Sequence, residues 1–360
     1  MGYRTALYDK HSEAGARIVG FAGWDMPIQY ASQIEEHRAV RRDAGLFDVS
    51  HMAIVELTGA EIKDCLRYLL ANDVAKLKEQ GKALYTCLLN ERGGVLDDLI
   101  VYRLADGHYR GVLNAATRDK DLAWIRAQSK TFRAQVEYRD DLAMLAVQGP
   151  EARDKVLRVL PSDVAAGART LAPFTGCERG GVFASRTGYT GEDGYEIMLP
   201  ADHAPALWDA LREQGVHPCG LGARDTLRIE AGMNLYGQDM NETVTPLECG
   251  LAWTVAWGPA ERDFIGREAL EAQRRAGVQH KLVGLVLEAR GVIRAHQGVR
   301  AGELAGTVTS GSFAPTLGKS IGLARVPIDI GERCEVEIRD RFLPARVVKP
   351  PFVRRGRILV

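Results

Sequence analysis

Two aspartates stand inside an otherwise apolar run, Val95-Leu96-Asp97-Asp98-Leu99-Ile100-Val101. Strand alternation sends their side chains to opposite faces, so they do not form a dyad sharing one proton. At least one carboxylate therefore enters a packed or pocket-facing side, where it must be hydrogen-bonded or perturbed. The plainer alternative is that both tie down the Gly93-Gly94 turn. A second constellation, Gly188-Tyr189-Thr190-Gly191-Glu192-Asp193-Gly194-Tyr195-Glu196, combines glycines, tyrosines and acids. Glycine allows a tight hairpin, tyrosine a flat hydrogen-bonding wall, and a carboxylate can grip an amidine-like N–C–NH₂ edge through two parallel hydrogen bonds. A Gly-rich hairpin with solvated acids is the competing reading. Arg224 and Arg228 stand at i and i+4 on one helix face, where a guanidinium fork suits a ligand carboxylate or a salt bridge to a neighbour such as Asp225. Trp253 and Trp257, in an apolar stretch, are either core or site residues.

The pattern predicts the elements that must position these residues. Ser32-Gln33-Ile34-Glu35 reads as a capping box opening a helix that runs to Gly45. His51 to Leu57 alternates like a strand, Gly59 breaks it, and Ile62, Cys65, Leu66, Leu69 and Leu70 recur at helical spacing. Strands at Leu84 to Leu89 and Val95 to Arg103 flank a turn at Asn90 to Gly94, and Tyr109 to Asn114 precedes a helix capped by Thr117. Leu57-Thr-Gly59-Ala-Glu61-Ile-Lys63-Asp64-Cys-Leu66 lines up with Val147-Gln-Gly149-Pro-Glu151-Ala-Arg153-Asp154-Lys-Val156. A duplicated α+β unit follows, with repeats at about 51–130 and 142–215. Matching the hairpin Leu84 to Val101 with Val182 to Leu199 sets Asp98 on Glu196. A helix through Arg224 and Arg228 ends at Gly232. From about Lys281 short Gly-punctuated strands, Leu282 to Glu288, Gly306 to Thr309, Ile321 to Val326, Cys334 to Ile338 and Ala345 to Val348, predict a separate antiparallel barrel or sandwich.

Composition bounds the function. With 360 residues, 46% hydrophobic and 26% charged, the chain is a globular protein of two or three domains. Forty-seven basic residues against 47 acidic ones argue against nucleic acid or an anionic membrane as the main partner. Apolar runs such as Leu251 to Trp257 fall short of the roughly 20 residues a bilayer crossing needs, and the N-terminus lacks a signal core, so a cytoplasmic location is expected. Six scattered cysteines and eight histidines make no C-x-x-C or H-E-x-x-H, which disfavours structural zinc, an iron–sulfur cluster and a disulfide framework.

Together these segments resemble the aminomethyltransferase (T protein) family of the glycine cleavage system. The similarity runs over essentially the whole chain, through Gly23-Trp24-Asp25-Met26-Pro27, Phe47-Asp48-Val49-Ser50-His51-Met52, Gly93 to Asp98, Gly188 to Glu196, Gly222-Ala-Arg224-Asp225, Glu230-Ala-Gly232, Asp263-Phe-Ile-Gly-Arg267, and Thr309-Ser310-Gly311 with Pro315-Thr316-Leu317. The resemblance implies an α+β fold: duplicated folate-binding lobes around a central channel plus a C-terminal antiparallel β-barrel, a three-domain cloverleaf. The expected division is 1–275 for the folate-binding region and 276–360 for the barrel. It further implies transfer of an aminomethyl group from the lipoyl arm of a transiently bound H protein to tetrahydrofolate, a co-substrate, with no metal, flavin or NAD. Carried over by position, Asp98 resembles the family's catalytic aspartate and Glu196 its pterin-binding glutamate. Met52, Tyr85, Val112, Asn114, Tyr189, Arg224 and Trp253 match other folate-channel positions. The family's C-terminal folate-touching tyrosine has no counterpart in Phe352 to Val360. Lys76, Lys78 and Lys82, or Arg354, Arg355 and Arg357, are candidate contacts for an acidic carrier, with a plain solvated surface as the alternative. Rival readings are a folate-dependent demethylase or methyltransferase on the same scaffold, and a non-enzymatic folate-binding iron–sulfur assembly factor. The last lacks its cysteine motif here, the nearest counterpart being Leu247-Glu-Cys249-Gly.

Overall fold

The computed structural model describes residues 2–360. It begins with α1 (Tyr8–Glu13), the hairpin of β1 (Arg17–Phe21) and β2 (Trp24–Gln29), α2 (Gln33–Arg42) and β3 (Gly45–Asp48). A first strand–helix–hairpin block follows as β4 (Ala53–Thr58), α3 (Ile62–Leu69), β5 (Ala83–Leu89), β6 (Val95–Ala105), β7 (His108–Leu113), α4 (Arg118–Gln128) and β8 (Gln135–Tyr138). A second follows as β9 (Leu142–Gln148), α5 (Ala152–Val159), α6 (Ser162–Arg169), β10 (Gly176–Arg179), β11 (Val182–Ser185), β12 (Gly194–Pro200), α7 (Ala204–Glu213) and β13 (His217–Pro218). Then come α8 (Leu221–Glu230), α9 (Arg267–Ala276) and strands β14 (His280–Leu287), β15 (Gly298–Ala301), β16 (Leu304–Ala314), β17 (Lys319–Pro327), β18 (Arg333–Ile338) and β19 (Arg341–Val348). A short hairpin, β20 (Val353–Arg354) and β21 (Arg357–Ile358), follows them.

The two blocks share one topology. Strand orders are β5-β6-β7-β4-β8 and β10-β11-β12-β9-β3-β13, identical except that β3 is inserted between β9 and β13. At the matched turns Gly59 and Gly149 adopt φ of +130° and +138°, and a Cβ would lie 2.2 Å from the Arg133 carbonyl oxygen and 2.3 Å from that of Asp43. Only glycine fits both the backbone angle and the space. Strand order also corrects the hairpin matching: β6 corresponds to β11, and β12 to β7. Asp98 and Glu196 therefore sit on non-equivalent strands. The linear comparison slipped because the four-residue β10 and β11 are too short to register by pattern.

Contacts divide the chain into two compact units. The first comprises the chain up to Ile62 with Leu77–Leu84 and Ile100–Leu227; the second comprises Lys63–Lys76, Tyr85–Leu99 and Arg228–Val360. Within the first, the period-two alternation of β9 and β12 makes two cores. Leu145, Val147, Tyr195 and Ile197 pack against helical Val156, Val164, Trp208 and Leu211, whereas Met144, Ala146 and Met198 pack with Phe47, Ile54, Tyr102, Val112 and Phe183. Glu196 shares the parity of Met198 and so lies on this second face, whose core also takes in Val40 of α2 and Ala223 and Leu227 of α8. Within the second, Cys87, Leu89 and Val95 pack with Met240, Val244, Phe264 and Leu270. Its six strands β14-β17-β16-β15-β18-β19 close into an antiparallel barrel, β19 pairing back with β14 over an apolar centre. The sequence predicts five of these strands and misses β15, whose four residues carry only one fully buried apolar side chain, Val299.

Three local expectations fail. Helix α2 starts after Ser32 as predicted, but Ser32 makes no side-chain cap, and Glu35 pairs with Arg38 at 2.7 Å on the surface. It ends at Arg42, short of Gly45, which begins β3. That glycine is needed for close packing, since a Cβ there would lie 2.3 Å from Val40 and 2.8 Å from Cys219. Thr117 precedes α4 but donates to the Asn114 carbonyl at 3.2 Å instead of capping the helix. All six cysteines are free, and all but Cys177 are buried.

Candidate active site

In the first unit the Gly188–Glu196 loop is pinned by its acids and is not a solvated hairpin. Arg41 donates to Glu192 at 2.8 Å and to the Thr190 carbonyl at 2.7 Å, both side chains of the pair being about one-twentieth exposed. Arg186 grips Asp193 bidentately at 2.8 and 2.5 Å. Gln148, buried on β9, donates to the Thr187 carbonyl and accepts from the Thr190 hydroxyl, each at 3.0 Å. With Glu192 and Asp193 so engaged, Glu196 remains as the loop's functional candidate. It is buried, and its Oε2 accepts from the Thr187 hydroxyl at 2.6 Å. Burial pushes its carboxyl above the usual range, while the Thr187 hydrogen bond and the Arg224 charge pull it back.

Arg224 rises from α8 with its guanidinium carbon 4.7 Å from the centre of the half-buried Tyr189 ring. Its Nη1 is enclosed and has no hydrogen-bond partner. Burial draws the guanidinium downward against the charge of Glu196 and the Tyr189 phenol. An enclosed donor without a partner is costly unless something accepts from it, so Arg224 is the clearest ligand-directed group of this cluster. Val112 is buried in the core shared with Ile54 and Tyr102, and Met52 packs half-buried against that core. Asn114 follows β7, half-buried.

His51, which sequence reasoning did not single out although it lies in the Phe47–Met52 segment, belongs to the same unit. It is 4% exposed with Nδ1 unpartnered, its ring edge-on to Phe21. Burial pulls its imidazole down to about 4, opposed by Asp48 and reinforced by Arg224. The unfolded chain, titrating near 6.5, takes up the proton first. Stability is thus intact above about pH 6.5 and falls as pH drops toward 4, by at most about 3 kcal/mol. Urea unfolding from pH 7 to 4.5 should show this slope and lose it in His51→Gln; a variant with an unchanged slope rejects the assignment.

In the second unit the Asn90 side chain makes the turn: its Oδ1 accepts from the Arg92 and Gly94 amides at 3.0 Å, and its Nδ2 donates to the Glu242 carbonyl at 2.9 Å. That turn delivers the aspartate pair with the predicted split of faces. Asp97 is fully buried, and Asp98 is half-buried with Oδ2 accepting from the Tyr85 hydroxyl at 2.8 Å. Tyr85 stacks on Trp253, ring centres 5.7 Å apart at 24°, and Trp253 is 64% exposed. Trp253 is therefore an open aromatic platform, whereas Trp257 packs against the core. The two arginines of α8 part company: Arg228, 1% exposed, pairs with Asp239 at 2.8 Å and serves the fold. Of the basic candidates, Lys76 is bonded to Asn72 at 2.8 Å, while Arg354, Arg355 and Arg357 are exposed. Among the described residues no cluster of His, Cys, Asp and Glu has the form of a metal site, and no helix is long and apolar enough to cross a membrane.

A GCVT N-terminal domain model matches residues 7–258, and a glycine cleavage T-protein C-terminal barrel model matches residues 280–354. A curated aminomethyltransferase from Pseudomonas syringae pv. tomato is 58% identical over 361 residues, covering all of both chains. One from Nitrosococcus oceani is 55% identical over all of this chain and 97% of its own length. The crystal structure of glycine cleavage system aminomethyltransferase T from Bartonella henselae superposes with a TM-score of 0.92 at 35% identity, covering all of both chains. Fold and kinship define an enzyme of the aminomethyltransferase class. The chain belongs to the glycine cleavage T-protein family.

Proposed function

We propose that the chain takes the aminomethyl group from the lipoyl arm of the H protein and passes it to tetrahydrofolate, giving 5,10-methylenetetrahydrofolate, ammonia and the dihydrolipoyl carrier. Full-length kinship supports this reading. One observation carries it: a buried Glu196 carboxylate within electrostatic reach of Arg224, whose enclosed Nη1 lacks a partner. These groups fit a reduced pterin, whose N–C–NH₂ edge matches a carboxylate and whose acceptors match a guanidinium donor. Met52, Tyr85, Val112, Asn114, Tyr189 and Trp253 are assigned as further folate contacts. Tetrahydrofolate, when bound, supplies the nitrogen that captures the one-carbon unit. Asp98 orients that nitrogen, stabilises the positive charge developing on it and moves its proton toward the amine, which leaves as neutral ammonia. Positioning both reactants contributes several further powers of ten. We assign the catalytic region to residues 1–275, the barrel to 276–360, and the protein to the cytoplasm.

Glu196→Ala leaves the pterin edge unpaired and should weaken reduced-folate binding by about 1–3 kcal/mol with a smaller effect on kcat at saturating folate. Calorimetric titration checks this, and an unchanged Kd moves the pterin elsewhere. The function itself is tested by ammonia release from aminomethyl-loaded H protein, compared with demethylation of sulfonium and N-methyl donors. Turnover of the latter alone overturns the proposal.

A further inference from the structure

Behind Glu196 lies a group of hydroxyls that the reaction does not obviously require. Tyr102, fully buried on β6 and edge-on to Phe183 at 5.0 Å, donates to the Ser185 hydroxyl at 3.1 Å and lies 3.0 Å from that of Thr187. Ser185 and Thr187 are 2.9 Å apart, and Thr187 donates to Glu196 Oε2 at 2.6 Å. Ser185 Oγ also donates to the Glu196 main-chain oxygen at 3.2 Å. Each hydroxyl owns one proton. Thr187 spends its proton on the carboxylate, so Tyr102 donates into the Ser185–Thr187 pair and the donors point along one path, from Tyr102 through Ser185 and Thr187 to the carboxylate, with Ser185 sharing its proton with the Glu196 main-chain oxygen. Contact lengths shorten along that path, as expected for hydrogen bonds that polarise one another and end on a charge.

We propose that Tyr102, Ser185 and Thr187 form a positioning relay that holds the Glu196 carboxylate ionised and oriented for the pterin edge, so that folate affinity depends on hydroxyls acting through Glu196. The inference rests on the assignment of Glu196 to folate made above. A proton on Oε2 would turn the Thr187 hydroxyl round and forfeit its charge-assisted hydrogen bond to the carboxylate, so the Thr187 contact disfavours the neutral acid. Burial acts the other way, raising the Glu196 carboxyl, and only the Thr187 hydroxyl and the Arg224 charge counter it. The titratable and charged groups bearing on the site are Arg224 from α8, Tyr189 acting through Arg224, and Tyr102 from β6, itself influenced by Arg110 from β7, while His51 in turn feels the Arg224 charge. Burial and the Glu196 charge push the Tyr102 phenol well above its usual range, which keeps it a neutral donor.

The sign of the effect follows. Removing a donor to an ionised carboxylate raises its pKa, so affinity that requires the ionised form is lost at higher pH. Thr187→Val should weaken binding of a reduced folate about tenfold at low pH and shift the midpoint of the affinity–pH profile upward by about one unit, the deficit shrinking as pH rises. Tyr102→Phe should shift it in the same direction by less, and Thr187→Ser should restore the wild-type profile. Kd is measured by calorimetry from pH 5 to 9 for each variant, for wild type and for Glu196→Ala. A pH-independent loss in Thr187→Val, or an unshifted profile in both Thr187→Val and Tyr102→Phe, overturns the relay. A wild-type Kd in Glu196→Ala overturns the folate assignment itself, which separates the two failures.

Discussion

Asp98→Asn is expected to lower kcat on the order of 10²- to 10⁴-fold while leaving reduced-folate binding close to wild type. The substitution keeps the shape of the side chain, and its amide oxygen can still accept from the Tyr85 hydroxyl, which holds Asp98 Oδ2 at 2.8 Å. What disappears is the negative charge and the ability to take a proton from the reacting nitrogen. Loss of turnover without loss of affinity is the mark of an interaction made in the transition state. Stopped-flow or steady-state release of ammonia from aminomethyl-loaded H protein gives kcat, and folate titration gives Kd. Turnover within a few-fold of wild type removes Asp98 from the mechanism, and a parallel collapse of binding makes it a folate anchor instead.

The second large effect falls on stability. Arg228→Ala should lower the unfolding free energy by about 3–5 kcal/mol, because it leaves a buried carboxylate without its counter-charge. Asp239 is 1% exposed and accepts from Arg228 at 2.8 Å, from the Ser310 hydroxyl and Leu235 amide at 2.9 Å and from Thr309 at 2.5 Å. Those neutral donors satisfy its lone pairs but not its charge. Arg228 also donates to Ser310 at 2.9 Å and to the Met233 carbonyl at 3.2 Å, so its loss orphans several groups at once. Urea unfolding measures the change. The double variant Arg228→Met/Asp239→Leu, which removes both charges, should recover much of the deficit; a single-variant loss under 1 kcal/mol would show that the pair is expendable.

Legibility in the sequence followed burial. Helix α3 and strands β5, β6 and β14 carry long, regular apolar patterns and are predictable to within two residues. The split of Asp97 from Asp98 was readable because period-two alternation is a geometric property of any strand. The hydroxyls behind Glu196 were not, since Tyr102, Ser185 and Thr187 come from two segments 83 and 85 residues apart, and serine and threonine look alike in loops and networks. Arg224 and Arg228 show the same limit from the other side. Helical spacing places both on one face, but only tertiary neighbours reveal that one has an enclosed unpartnered nitrogen and the other an ion pair. The Ser32–Glu35 capping box failed because Glu35 is exposed and finds Arg38 one turn on, while Glu36 turns inward to accept from the Tyr30, Ala31 and Gly220 amides.

Strand β3 has a consequence for how the chain is made. It pairs antiparallel with β9 and parallel with β13, so its four residues wait for partners about 100 and 170 residues downstream. Its contacts are among the least local in the first unit, and loop-closure entropy opposes them until much of that unit has emerged. The second block cannot complete its sheet from its own residues, because the seat between β9 and β13 belongs to a segment that precedes the first block. Separated from residues 45–48, that block would carry an open gap with unsatisfied backbone on both sides, a ready site for pairing with another chain. The duplication is thus no longer divisible: one early strand has become a keystone that the second half cannot lose.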